Sequence, residues 1–501
     1  MNGTPWIFNV RDFGATGDGQ TLDMAALQAA LDACHAHGGG TVIVPAGRYI
    51  TGSIFLHSCL TLQLEAGAVL LGSENPIDYP IVHSRWEGAQ QATYAPLITG
   101  YDLTDIAVIG RGTIDGRGAQ WWQRFNSGTL AYPRPRLISF VDCSNVLIQG
   151  LTAINSPSWT INPVRCHNVT VERVTIVNPP DSPNTDGINP DSCTNVHIAN
   201  CHIDVGDDCI TIKSGVETEA ADKRAACANI TITNCTMAHG HGGVVIGSEM
   251  SGDVRNVTIA NCVFVGTDRG LRFKSRRGRG GVVEDVRISN IVMTDVLCPL
   301  TMNLYYACGA WGDITVSDKQ PQPVTEATPL FRHIHLSHIT ARNAQYAAAF
   351  LYGLAEMPLE DISLDDFSVS LAHHAEAGHP DMADDLEPMQ RAGLFIRNVR
   401  GLRLNQIDVR DQLGAVVRVI DSADVTITAC GTSTPDHTAP IVHLDNVERA
   451  FIQGCRAIAD APIFLQVDGT HSSDIALSGN DVRCAQLIAL GADVRSDAVC
   501  W

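Results

Sequence analysis

No apolar run in this chain approaches the ~20 residues that a membrane-spanning helix needs, which excludes such a span. The opening residues Met1-Asn2-Gly3-Thr4-Pro5-Trp6 lack a basic stretch followed by an apolar one. No signal peptide is therefore expected, and the protein reads as cytoplasmic, or as secreted or periplasmic if a signal was removed. Positive charge is scarce: 34 Lys and Arg stand against 54 Asp and Glu, a formal net charge of -20. Nucleic acid and anionic membranes are not expected partners for such a field. Charged residues make up only 18%, below the ~25% usual in globular domains. Gly17 and Gly19 have no strand–glycine–Lys context, which excludes a phosphate-binding loop. The polar stretch 372–392 carries His373, His374, Glu376, His379, Asp381, Asp384, Asp385 and Glu387 at no strict ligand spacing. It is expected to be a solvated loop, and neither a metal nor a cofactor is expected.

What the chain does have is glycine (44) and cysteine (16), together with repeats rich in Thr, Val, Ile and Asn. This is β and turn chemistry. The cysteines are periodic. Cys143, Cys166, Cys193 and Cys227 each lie two residues before an Asn (Asn145, Asn168, Asn195, Asn229), and Cys201, Cys235 and Cys262 each lie six after one. That pattern predicts ladders of small buried thiols, not disulfides.

The repeat itself is visible in Asn168-Val169-Thr170-Val171, Asn195-Val196-His197-Ile198, Asn229-Ile230-Thr231-Ile232 and Asn256-Val257-Thr258-Ile259. Each precedes or follows a block of chemistry-bearing residues: Asn184-Thr185-Asp186-Gly187, Gly206-Asp207-Asp208-Cys209, His239-Gly240-His241-Gly242 and Arg269-Gly270-Leu271-Arg272-Phe273-Lys274. Asp207 and Asp208 lie 12 and 13 residues after Asn195, His241 lies 12 after Asn229, and Asp268 and Arg269 lie 12 and 13 after Asn256. If each repeat is one coil of a stacked solenoid, these side chains line one face at a pitch of about 4.7–4.9 Å. Three carboxylates, an imidazole and cations in one column would make a groove suited to an anionic substrate. Carboxylates this crowded cannot all ionise easily, so at least one is expected to hold its proton. His239 is a rival to His241, but the repeat offset favours His241. Arg272 and Lys274 alternate on a strand and share a face. A guanidinium beside an ammonium suits a sugar acid.

The repeat weakens but persists through Asp285, His333, Asp361, Asp424 and Asp474. The expectation is therefore one solenoid domain over 1–501. Thr21 is the expected N-cap of a helix with an apolar face of Leu27, Ala30, Leu31 and Cys34, ended by Gly38-Gly39-Gly40. This helix, within a cap of about residues 1–40, is expected to cover the open end of the solenoid. Short strands are expected over 41–118. Loop insertions are expected over about 76–137 and 372–392. Residues 76–96 and 117–137 are expected to be irregular, and their Trp86, Trp121, Trp122 and Tyr132 could stack on sugar rings or pack on the body.

The four blocks, in this order, resemble the polygalacturonase family, glycoside hydrolase family 28, and most of all its exo-acting bacterial members. Its landmarks are matched by Asn184-Thr185-Asp186, Asp207-Asp208, His241-Gly242 and Arg272-Phe273-Lys274, and the likeness spans roughly residues 5–310. The resemblance implies an all-β, right-handed parallel β-helix. It implies hydrolysis of galacturonic-acid glycosidic bonds in pectin-derived chains, with inversion. Under it Asp207 is the general acid, Asp186 and Asp208 activate water, and His241 supports the acid. Arg272 and Lys274 would hold a galacturonate carboxylate, with Tyr305 or Tyr306 beside them and Arg269 and Asn184 nearby. The insertion Val216–Ala226, the extra Gly243 and the basic run Arg276–Arg279 resemble exo-acting bacterial members. A rhamnogalacturonan or xylogalacturonan hydrolase, a Ca²⁺-dependent lyase and a non-catalytic sugar-binding β-helix are the competing readings. The partner is expected to be a pectic chain and the protein a monomer.

Overall fold

A computed structural model describes residues 6–220, 224–457 and 460–500. Met1–Pro5, at the head of the segment read above for a leader, and 221–223 of the Val216–Ala226 insertion lie outside the described residues. The chain divides into two compact units, Met1–Val244 and Val245–Trp501. Each is a stretch of parallel β-helix, so the all-β, right-handed parallel β-helix is the fold observed.

In the first unit the strands Gly40–Val44, Leu60–Leu64, Thr104–Gly110, Ser144–Gln149, His167–Glu172, Thr194–Ala199 and Cys227–Thr233 pair in parallel, one per coil. Their registers align Val42, Leu62, Val108, Ile148, Val171, Ile198 and Ile232 in one column. Every member of it is buried, each contributing roughly 1.5–3 kcal/mol. The second unit repeats the device. Ile259, Ile288, Leu336, Leu364, Leu404, Ile427, Ile452 and Leu477 stack in register. Alternation along each strand sends the intervening Thr, His and Arg outward.

The leading repeat residue has a physical reason to be Asn or Asp. Asn145, Asn168, Asn195, Asn229, Asn256, Asp285, His333, Asp361, Asp424 and Asp474 all adopt φ between 51° and 58°. That left-handed region is one that Asn and Asp enter at least cost after Gly. In the first unit the side chains also bond to one another. Nδ2 of Asn168, Asn195 and Asn229 each donates to Oδ1 of the preceding Asn at 3.0 Å. The thiols stack likewise, with backbone N–H of Cys166 and Cys193 donating to Sγ of Cys193 and Cys227. No disulfide forms among the described residues.

The helix Met24–Ala36 buries Leu27, Ala30, Leu31 and Cys34 as expected. Its N-cap is not Thr21, which lies in the strand Asp18–Leu22, but Asp23. The Asp23 carboxylate turns back to accept from the backbone N–H groups of Thr16 and Gly17 at 2.7 and 3.1 Å, so it leaves its own helix uncapped. Residues 76–96 are not irregular. They form an antiparallel hairpin, Ile81–Trp86 with Ala89–Tyr94, turned by Glu87 and Gly88 at φ 48° and 81°. Two positive φ values are what a two-residue hairpin loop requires. Residues 117–137 contain the helix Ala119–Asn126. Trp121 is fully buried against Tyr79 and Tyr94, and Trp86 stacks on Trp159 at 5.4 Å. These rings pack on the body, and only Tyr132 of the four is exposed.

Arg85 of the hairpin pins the Val216–Ala226 insertion. Its guanidinium, fully buried, meets Asp191 at 2.6 Å and both carboxylate oxygens of Glu219 at 2.6 and 2.7 Å. Among the described residues no helix is long and apolar enough to cross a membrane.

Candidate active site

In the first unit, successive coils deliver the acidic side chains. Backbone N–H groups of Thr160 and Gly187 donate to the carbonyls of Asp186 and Asp208 at 2.9 and 3.0 Å, which stacks those two positions one coil apart. The next coil adds His241, whose N–H donates to the Asp207 carbonyl at 3.1 Å. Gly240 makes that approach possible. Its φ is 74°, and a Cβ there would stand 2.3 Å from the Asp207 carbonyl oxygen. The outcome is that carboxylate oxygens of Asp186, Asp207 and Asp208 all lie within 4.8 Å of one another.

The three are not equivalent. Asp186 and Asp208 are buried, at 3% and 2% exposure, whereas the Asp207 side chain is 21% exposed. Asp186 Oδ2 accepts from Asn189 Nδ2 at 2.8 Å and Thr211 Oγ1 at 3.4 Å. Burial pushes the Asp186 carboxyl well above its usual 3.8, Asp207 and Asp208 push it the same way, and Lys213 opposes them. Crowding of this kind opposes the ionisation of all three carboxylates at once. Their separation is shorter than the ~6.5–9.5 Å usual for inverting pairs. The two histidines part company. His241 Nδ1 stands 3.3 Å from Asp207 Oδ1, and His239 Nδ1 pairs with Asp204 at 2.9 Å.

Asn184 is held rather than free. Its Oδ1 accepts from Arg134 Nη2 at 2.6 Å, and Arg134 Nη1 also bonds the Pro183 and Pro157 carbonyls. Arg134 is buried, which lowers its pKa to about 10, while Glu87, Asp186 and Asp207 favour its charge. Sequence reading missed Arg134 and Lys213. Lys213 was within reach of it: Cys209, Thr211 and Lys213 alternate with Ile210 and Ile212 after the Asp pair, so Thr211 and Lys213 share a face.

In the second unit the strand Arg269–Lys274 carries the cations. Arg272 and Lys274 share one aromatic partner, with the Tyr306 ring 5.4 Å from the guanidinium carbon and 5.3 Å from Nζ. Tyr305 turns elsewhere, buried among Arg277, Lys319 and Tyr352 at 5.2, 4.1 and 4.6 Å. Arg277 of the basic run is committed to Glu356 at 2.6 and 2.9 Å. The stretch 372–392 is not simply a solvated loop. Asp381, fully buried, receives Arg272 Nη2 at 2.8 Å, and Arg269 donates to the carbonyls of His379 and Pro380 at 2.8 Å each. Three N–H donations from two guanidinium groups make that docking favourable where periodicity could not reveal it.

A β-helix that presses an exposed carboxyl group against two buried ones, beside an imidazole, has the parts of a glycoside hydrolase, and that is the class of this protein. The chain belongs to glycosyl hydrolases family 28, whose model matches residues 34–377. It is 37% identical over 376 residues to a probable polygalacturonase of Vitis vinifera, across 73% of this chain and 74% of that protein. It is also similar to the crystal structure of a hyperthermoactive exopolygalacturonase from Thermotoga maritima, with TM-score 0.67 and 27% identity over 81% of this chain and 93% of that one. A family 28 exopolygalacturonase of Yersinia enterocolitica gives TM-score 0.67 and 25% identity, over 89% of this chain and 78% of that one.

Proposed function

We propose that this hydrolase cleaves galacturonic-acid glycosidic bonds in pectin-derived chains, as an exo-acting polygalacturonase on oligogalacturonides, with inversion. One observation carries the reading: Asp207 is the accessible member of a cluster whose other two carboxylates are buried. Asp207 protonates the leaving oxygen, since it alone of the three is substantially exposed. Asp186 and Asp208 take the proton of the attacking water and return one to Asp207, and His241 steadies Asp207 by its Nδ1 contact. Inverting glycoside hydrolysis needs just such an acid for the leaving oxygen and a separate carboxylate base for the water. Arg272 and Lys274 bind the sugar carboxylate, with Tyr306 as their wall. Asn184, oriented by Arg134, hydrogen-bonds a sugar hydroxyl. The enzyme works as a monomer.

Similarity to the two solved exopolygalacturonases supports exo action. Digestion of polygalacturonate, oligogalacturonides and rhamnogalacturonan in parallel tests the reading. Monomers or dimers should appear first from galacturonate chains. Early mid-sized oligomers would overturn exo action, and turnover of rhamnogalacturonan alone would move the substrate within the family. Proton NMR of the first product gives the anomer. Retention of configuration would agree with the short carboxylate separation and reject inversion.

A further inference from the structure

The seat of Arg272 is built by a strap from far along the chain, whose contact residues His379 to Met382 lie just past the segment that the family model matches. The strap leaves after the strand Leu359–Leu371 and returns at Ala392–Arg397. Its neck is closed by reciprocal backbone bonds between Gly378 and Met389, at 2.9 and 2.8 Å. Gly378 leaves room there for the Tyr346 ring, which a Cβ would meet at 2.3 Å. Past the neck every residue from His379 to Met382 engages the cationic coils. His379 and Pro380 receive Arg269, and Asp381 receives Arg272. The Met382 carbonyl accepts from Asn303 Nδ2 and Ala307 N–H, both at 3.0 Å.

Asp381 is the telling member. It is fully buried and the Arg272 side chain is only 4% exposed. Asp381 Oδ1 also accepts its neighbour's N–H, from Met382 at 2.8 Å, which fixes the carboxylate's plane. Asp381 Oδ2 is buried and has no hydrogen-bond partner among the described residues. Arg–carboxylate pairs are frequently bidentate, with both oxygens on the guanidinium fork. This carboxylate instead grips Arg272 by one nitrogen. A desolvated, charge-assisted contact of this kind holds a long side chain in one pose.

We propose that Asp381 is a positioning residue for the reaction. It locks Arg272 in the pose that receives the substrate carboxylate, and the strap from His379 to Met382 forms part of that subsite. This rests on the reading above that Arg272 and Lys274 bind a sugar acid. The test is steady-state kinetics on trigalacturonate for Asp381→Asn, Arg272→Gln and the double variant, each with a thermal midpoint. Asp381→Asn should raise KM about tenfold and change kcat less than about threefold, since the loss is in binding rather than chemistry. The double variant should be no worse than Arg272→Gln, because Asp381 acts only through Arg272. Asp381→Glu should recover part of the loss.

Additive losses in the double variant, or a lowered midpoint with unchanged KM, would overturn the proposal. If Arg272→Gln raises KM and Asp381→Asn does not, this proposal falls alone. If neither moves KM, the carboxylate-subsite reading falls and takes this one with it. Should Asp381→Asn fail to fold, Arg269→Gln releases His379 and Pro380 while keeping the Asp381–Arg272 pair. It should raise KM about threefold, and an unchanged KM there would also overturn the proposal.

Discussion

Asp207→Asn separates the roles within the carboxylate cluster. The substitution keeps the volume and removes the proton that the leaving oxygen needs. Asp207 is the exposed member, at 21%, against 3% for Asp186 and 2% for Asp208, so neither neighbour can replace it at the substrate. A positioned general acid is worth about 10²–10⁴ in rate, or about 3–5 kcal/mol of barrier. On oligogalacturonides kcat should fall by that factor, with KM changed little. An aryl galacturonide with a good leaving group departs without protonation, so Asp207→Asn should keep most of its rate on it. Asp208→Asn, which on the proposed role removes a carboxylate that activates water, should be slow on both. The assay is reducing-sugar release for the first substrate and phenolate absorbance for the second. Equal losses on both substrates for Asp207→Asn would refute the assignment and pass the acid role to another carboxylate.

Three further outcomes follow from described contacts. Asp186 is pushed above its usual 3.8 mainly by burial. The stability of its neutral form is therefore fully present below the unfolded value and lost as pH rises through the folded one. Asp186→Asn should match the parent's denaturation midpoint in acid and exceed it at higher pH, and parallel curves would refute this. Arg85→Met strands the buried Asp191 and the partly buried Glu219, and should cost about 3–5 kcal/mol in urea unfolding; a change below about 1 kcal/mol would show the site relaxing freely. Chelator should leave activity intact and no unsaturated, ultraviolet-absorbing product should form. Loss of activity with chelator, together with such a product, would restore the lyase reading.

The repeat was legible because a solenoid uses one rule on every coil. The leading Asn is written into the sequence by its left-handed φ and its side-chain ladder. The offset from that Asn favours His241 over His239, and in the structure His241 stands beside Asp207 and His239 beside Asp204. Tyr305 and Tyr306 were not separable, since adjacent residues at a strand's end can turn either way. What periodicity could not show were contacts made by insertions. Arg134, the hairpin's Arg85 and Asp381 act across 50, 106 and 109 residues respectively. Nothing in the local pattern marks which acidic residue of 372–392 turns inward. The Thr21 cap failed for a related reason: Asp23 serves the loop before it, a tertiary demand that outweighs helix capping.

The Asn ladder bears on where this chain can be made. Asn168-Val169-Thr170 and Asn229-Ile230-Thr231 are acceptor triplets for N-linked glycans. The attachment atom, Nδ2, is the one that bonds the coil below. Rungs about 4.7–4.9 Å apart leave no room for a sugar between them. A host that glycosylates chains before they fold would wedge the helix open at its middle coils. Mass spectrometry of soluble protein from such a host should find both asparagines bare.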